Sequence, residues 1–145
     1  MMKYKVCVED DGTTGWYYNG QLHREDGPAV ESTNGYKAWY KEDKLHREDG
    51  PAVEYVNGSK EWYKEGKRHR EDGPAIEHTN GSKEWYKEGK VHREDGPAVE
   101  YANGNKVWYL EGEELTEEEF LTRTDKSLCN KVVEIEGVKY TLVKV

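Results

Sequence analysis

The chain is poor in cysteine. Cys7 and Cys129 are the only two, too few for a disulfide framework and at no metal-like spacing. They read as free thiols of a reducing compartment. Long apolar runs are missing too, so no stretch reads as a membrane span. The opening Met-Met-Lys-Tyr-Lys-Val lacks the apolar region of a signal peptide. These two absences predict a soluble, cytoplasmic protein. Positive charge is scarce: 22 Lys and Arg stand against 30 Asp and Glu, for a net charge of −8. That leaves no electrostatic footprint for nucleic acid or an anionic membrane, while a basic protein surface is a compatible partner. The chain also has no glycine-rich phosphate loop, no nucleophile elbow and no cysteine beside a histidine. It reads as a protein without an active site, a metal or a cofactor.

Apolar residues make up only 34% of the chain and charged residues 36%, which excludes a thick globular core and by itself predicts disorder. What opposes disorder is regularity. His-Arg-Glu-Asp-Gly-Pro-Ala occurs at 23–29, 46–52, 69–75 and 92–98, each copy 23 residues after the last. Trp16, Trp39, Trp62, Trp85 and Trp108 keep the same spacing, each followed by Tyr, and so do four Asn-Gly pairs from Asn34-Gly35 to Asn103-Gly104. A fixed period in this range marks stacked repeats, which are stable with a thin core because each unit buries its apolar side chains against the next.

The expected fold is all-β, a solenoid-like antiparallel sheet of stacked hairpins. Residues 1–15 form an N-terminal β cap, 16–115 hold four and a partial repeat, and 116–145 form a C-terminal helix and closing hairpin. Residues 3–9 alternate as a half-buried strand, with Tyr4, Val6 and Val8 on one side. Within a repeat, Trp62-Tyr63-Lys64 reads as a strand, Glu65-Gly66 as a turn and 74–78 as the second strand. Asn80-Gly81 reads as a hairpin turn of type I′, with positive φ at both residues. Alternation puts a Trp ladder on one side and a Tyr ladder on the other, with Ala29, Ala52, Ala75 and Ala98 leaving room for a neighbouring ring. Thr116-Glu117-Glu118-Glu119 is a capping box with Leu115 and Phe120 as its staple, predicting a helix over 117–124. A loop over 125–130 and a hairpin from 131 to 145 follow.

The run 62–85, Trp-Tyr-Lys-Glu-Gly-Lys-Arg-His followed by Gly, a short strand, Asn-Gly-Ser-Lys and Trp, resembles MORN repeats. The likeness extends over 16–112. Where a typical unit has His-Gly-x-Gly, this chain has His-Arg-Glu-Asp-Gly-Pro-Ala, a variant similar to repeat proteins of tailed phages and giant viruses. The resemblance implies a hairpin-repeat fold that serves as a scaffold for protein partners or dimers. A viral origin would imply an accessory protein that binds and blocks a host or defence protein.

The fourfold His23, His46, His69 and His92, with their following carboxylates, are the residue types of metal and acid–base sites. An active site needs one asymmetric constellation, however, and four copies point to fold maintenance. In this reading His and Arg tie down the long turn. Asp26, Asp49, Asp72 and Asp95 accept backbone N–H bonds ahead of Gly-Pro, and Arg and Glu of adjacent repeats pair along the stack. Binding is better sought where repeats differ: the row Ser32, Tyr55, His78, Tyr101; the row Tyr36, Ser59, Ser82, Asn105; and Leu45, Arg68, Val91. The candidate partner-binding residues are Tyr36, Tyr55, Arg68, His78 and Tyr101, joined by Glu117 and Glu118 of the acidic run 111–119. The expectation is a non-catalytic protein-interaction module, with a homodimer compatible. The alternative is a carrier for a small ligand such as a nucleotide, held by aromatic stacking and the His-Arg rows.

Overall fold

The computed structural model describes residues 2–124, 132–135 and 137–141. The described residues form a 12-stranded antiparallel sheet of consecutive hairpins, further two-stranded hairpins and one short helix. Lys5–Val8 pairs with Thr14–Tyr18 and closes one end of the sheet. Two-residue strands then alternate, Val53–Glu54 beside Lys60–Glu61 beside Ile76–Glu77 beside Lys83–Glu84, out to Lys106–Leu110 and Glu113–Leu115. Each repeat also sends out a smaller hairpin, such as Tyr63–Lys64 with Lys67–Arg68. A repeat therefore supplies two hairpins, not the single one expected.

Tryptophan is where the chain leaves one hairpin for the other. The Trp62 N–H donates to the Ala75 carbonyl at 2.8 Å across the main sheet, and its own carbonyl accepts from the His69 N–H at 3.1 Å in the side hairpin. The registers place Ala75 between Trp62 and Trp85. Repeated along the sheet, this gives a row in which Trp and Ala alternate. Ala29, Ala52, Ala75 and Ala98 are 0% exposed, which is the room for a ring that the sequence implied. The tryptophans themselves are only half-buried. The core is these alanines together with Ala38, Val53, Ile76 and Val99 on the opposite face, ending in Leu115 and in Phe120 of the helix.

Arginine covers what the sheet leaves open. The guanidinium carbons of Arg24, Arg47, Arg70 and Arg93 lie 3.9–4.2 Å from the ring centres of Trp16, Trp39, Trp62 and Trp85. Each arginine is held there by three groups. Arg70 Nε donates to Asp72 at 2.9 Å, and Nη1 donates to the Pro74 carbonyl at 3.1 Å and to Glu77 at 2.9 Å. The arginine holds each aspartate of this set below the usual carboxylate range. Two expectations are corrected. Asp26, Asp49, Asp72 and Asp95 accept from arginine side chains first, because the guanidinium fork lies over the turn. The Arg–Glu pairs of the repeated phrase lie within a repeat, at a separation of seven residues, whereas Arg68 pairs with Glu61 of the repeat before. Trp108 has Thr116 at the arginine position and faces Leu115 where the other tryptophans face histidine.

Histidine does tie the turns, across repeats. Nδ1 of His46, His69 and His92 faces both the backbone N–H and the carboxylate of Glu65, Glu88 and Glu111, one repeat further on. His23 meets the Glu42 N–H in the same way. The Arg47 N–H donates to the Tyr63 carbonyl and the Gly66 N–H to the Leu45 carbonyl, so the side hairpins are laced to one another too.

The two turn types exchange the roles assigned to them. Glu65 and Gly66 both have positive φ, 49° and 78°, and form the two-residue turn of type I′ character. At Asn57-Gly58 only Gly58 is left-handed, with φ 88°. Asn57 stays out of that region because its Oδ1 accepts the Ser59 N–H at 2.9 Å. The Tyr55 N–H donates to the Ser59 carbonyl and the Gly58 N–H to the Tyr55 carbonyl, the pattern of a three-residue loop with glycine last.

The N-terminal strand is shorter than expected, Lys5–Val8, and its facing is reversed: Val6 is 50% and Val8 68% exposed, while Cys7 is half-buried. Among the described residues this is the end strand of the sheet. At the other end the helix Glu117–Thr124 forms with its capping box. The Glu119 N–H donates to Thr116 Oγ1 at 3.2 Å, and the Thr116 N–H donates to Glu119 Oε2 at 2.9 Å. Arg123 in its last turn makes a two-pronged pair with Glu113 at 2.7 and 3.0 Å. Val132–Ile135 pairs with Val138–Thr141 as the closing hairpin. The expected loop 125–130 with Cys129, and Lys131, Glu136 and 142–145 of the hairpin, lie outside the described residues.

Gly73 tests the arginine lid. Its φ is not in the left-handed region, yet a Cβ there would stand 3.0 Å from the Arg70 guanidinium carbon. Gly73→Ala is expected to lower stability in urea by about 1 kcal/mol, because displacing the guanidinium costs more than the reduced freedom of the unfolded chain returns. In an Arg70→Ala background the same change is expected to raise stability by about 0.5 kcal/mol. Equal destabilisation in both backgrounds would remove the lid as its cause.

Candidate functional site

The registers sort the side chains of the main sheet into two faces. One carries the Trp–Ala row and, beside it, Glu31, Lys37, Glu54, Lys60, Glu77, Lys83, Glu100 and Lys106, opposite charges alternating strand by strand. It is the same in every repeat. The other face carries Val30, Ala38, Val53, Glu61, Ile76, Glu84, Val99 and Val107 as directly opposed neighbours. Here an apolar row is interrupted by two carboxylates, in the middle repeats.

Four of the five residues singled out from the repeat differences gather around those two carboxylates. Glu61 is 8% exposed. Its Oε1 accepts from the Tyr55 hydroxyl at 3.0 Å, and its Oε2 accepts from the Tyr63 hydroxyl at 2.7 Å and from Arg68 Nε at 3.2 Å. The Tyr36 ring packs on Tyr55 with centres 5.8 Å apart. One repeat on, Glu84 meets His78 Nε2 at 3.2 Å and the Tyr86 hydroxyl at 2.9 Å. The fifth, Tyr101, is 50% exposed at the equivalent position of the next repeat. Ser59 and Ser82 from the same rows serve the fold: their hydroxyls accept the Thr79 and Ala102 N–H groups one repeat further. Glu117 and Glu118 are exposed on the first turn of the helix, and this cluster does not include them.

Sequence reasoning missed the residues at the centre of the cluster. The position just before each repeated tryptophan reads Gly15, Ala38, Glu61, Glu84 and Val107. A glutamate among small and apolar residues at one repeat position was the signal. Its meaning depends on cross-strand register, which sets Glu61 against Val53 and Ile76.

Burial pushes the Glu61 carboxyl up, but the bonds from Tyr63, Tyr55 and Arg68 outweigh it and leave the group below its ordinary value. Burial and the same carboxylate push Tyr55 and Tyr63 up to about 12. Arg68 stays charged because Glu61 more than offsets its burial.

On the opposite face, grooves of about 740 and 750 Å³ separate consecutive His-Arg-Glu-Asp-Gly-Pro turns, with Trp62 and Trp85 in their walls. One ring face of each of these tryptophans is already taken by Arg70 or Arg93, so a flat ligand stacking there competes with the guanidinium. Among the described residues, no group of three or more His, Cys, Asp or Glu is arranged to hold a metal ion. None of the described helices is long and apolar enough to cross a membrane. No protein-family model and no curated protein matches the chain.

A carboxylate with a depressed folded pKa contributes stability above its unfolded value and loses it as pH falls through the folded one. Unfolding free energies of the wild type are therefore expected to fall below about pH 4, and those of Glu61→Gln to fall less. At pH 7 Glu61→Gln is expected to cost about 1–2 kcal/mol. In an absorbance titration it should return the late-ionising tyrosines toward about 10. Identical pH profiles for the two proteins would show that the network is not formed.

Proposed function

We propose that the chain is a non-catalytic protein-interaction module whose recognition surface is the tyrosine- and glutamate-bearing face of the sheet. One observation carries this reading. Positions that are the same in every repeat build the Trp–Arg face and the turns and add one tyrosine per repeat to the other face, and the positions that individualise repeats lie on that other face: Tyr36, Tyr55, Glu61, Arg68, His78 and Glu84 together, and Tyr101 one repeat on. A structural role asks for sameness, and the side chains that depart from it are the material of binding hot spots: tyrosine, arginine and fixed charges. An extended sheet surface suits a protein partner better than a small ligand, which needs enclosure.

The likeness of the repeat to MORN units, and to their phage and giant-virus variant, supports a more specific reading. In it the chain is an accessory protein that works in the host cytoplasm and binds and blocks a host or defence protein. That step rests on the resemblance alone.

The test is capture of the tagged protein from cells in which it works, followed by native mass spectrometry, with two variants alongside. A stoichiometric partner is expected. Tyr55→Ala with Tyr101→Ala is expected to lose it by about tenfold or more in affinity, and Lys60→Ala with Lys83→Ala on the other face to keep it. A partner that follows the lysine face, or a bound small molecule with no protein, overturns the proposal.

A further inference from the structure

We propose that Glu84 is the floor of a receptor site for one arginine side chain, presented by the partner protein that the preceding reading requires. The structure contains its own template for this site one repeat earlier. There Arg68 lies over Glu61: Nε is 3.2 Å from Glu61 Oε2 and 3.1 Å from the Tyr63 hydroxyl, and the guanidinium carbon is 5.9 Å from the Tyr63 ring centre and 5.5 Å from that of Tyr86. The carboxylate, the two tyrosines and the guanidinium form one unit. Tyrosine faces attract the flat cation, and the carboxylate fixes its direction.

The next repeat keeps the carboxylate and tyrosine positions but has no arginine of its own, and Arg68 reaches only its first tyrosine, Tyr86, from the repeat before. Glu84 stands where Glu61 stood, Tyr86 replaces Tyr63 and Tyr109 replaces Tyr86. Val91 faces Tyr86 across its hairpin as Arg68 faces Tyr63, and valine ends three bonds short of a guanidinium. The paired positions in successive repeats are Ala38 with Leu45, Glu61 with Arg68, and Glu84 with Val91. The first pair is apolar and the second is charged on both sides. The third has the carboxylate alone.

The consequences are visible at Glu84. Its side chain is 26% exposed, against 11% for Glu61 under its arginine. His78, which replaces Tyr55, meets Oε1, so Oε2 accepts from Tyr86 where the equivalent oxygen of Glu61 accepts from both Tyr63 and Arg68. A half-buried carboxylate with spare acceptor capacity between aromatic rings favours a cation. The planar fork of arginine fits this arrangement as the ammonium of lysine does not. The net charge of −8 attracts a partner that presents such a group.

Val91→Arg tests the proposal, since it supplies the missing side chain in cis. The probes are blocked tripeptides with arginine or lysine at the centre, titrated while backbone amide signals are followed by NMR. In the wild type the arginine peptide is expected to give saturable shifts at His78, Tyr86 and Tyr101. The lysine peptide should bind about tenfold more weakly, and Glu84→Gln should weaken arginine binding about tenfold. Val91→Arg is expected to abolish the shifts while its thermal midpoint stays equal or rises, which separates a filled site from a misfolded one. Absence of saturable shifts in the wild type, equal binding of lysine, or unchanged binding by Val91→Arg overturns the proposal. So does self-association that Val91→Arg abolishes, which would give the site to a second copy of this chain. The wider reading fails separately: a captured partner that ignores Val91→Arg sinks only the arginine site, whereas the peptide titration stands even if no partner is captured.

Discussion

The fold depends on a guanidinium lying flat on an indole. A chain with this little apolar content does not bury its tryptophans in a second layer, and the described residues form none. Trp39, Trp62 and Trp85 are instead flanked by alanines in the sheet, Trp16 by Ala29 and Val6, and each of the four is roofed by the arginine eight residues later. The arginine spends its donors on an aspartate, a proline carbonyl and a glutamate of its own repeat. The phrase His-Arg-Glu-Asp-Gly-Pro-Ala is thus a complete local device. Arg covers, Asp and the Pro carbonyl hold it, Gly makes way for it, Ala receives the ring, and His reaches across to the next repeat. Cation–π contacts contribute only about 0.5–2 kcal/mol each. Repetition lets such modest terms add along a stack in which each unit meets only its neighbours.

This arrangement leaves one face of the sheet free to vary. Most of what must be the same in each repeat lies on the Trp–Arg side or in the turns. The opposite side needs only Val53, Ile76, Val99 and their equivalents for its core, and the places around them accept tyrosine, histidine, arginine or glutamate. In the middle repeats that freedom has produced one buried carboxylate, Glu61, and one half-buried, Glu84. Glu61 has three partners, and the networked tyrosines Tyr55 and Tyr63 are made harder to ionise in consequence.

The period, the all-β hairpin architecture, the capping strand and the capped helix were legible because each is written in local pattern: spacing, alternation, and Thr three residues before Glu. What was not legible depends on pairing between strands. The Asn57 side chain bonds to the Ser59 N–H, and this selects a three-residue loop over the two-residue turn its Asn-Gly signal favours. The alternation of Val6 and Val8 predicted burial, but the strand is at the sheet end among the described residues and both valines are exposed. Most of the candidate residues came from comparing repeats, which found Tyr36, Tyr55, Arg68, His78 and Tyr101 without showing why they belong together. Glu61 and Glu84, which join them, were hidden in a run of Lys-Glu-Trp that reads as ordinary charged surface until register brings it beside valine and isoleucine.

The most direct test of this account is a double-mutant cycle between Trp62 and Arg70, measured by urea unfolding of Trp62→Phe, Arg70→Met and the pair. The two side chains are predicted to couple by about 1–2 kcal/mol, the scale of a shielded cation–π contact. Additive effects within a few tenths of a kcal/mol would contradict the account, leaving the repeat to be held by its turns and backbone ladders alone.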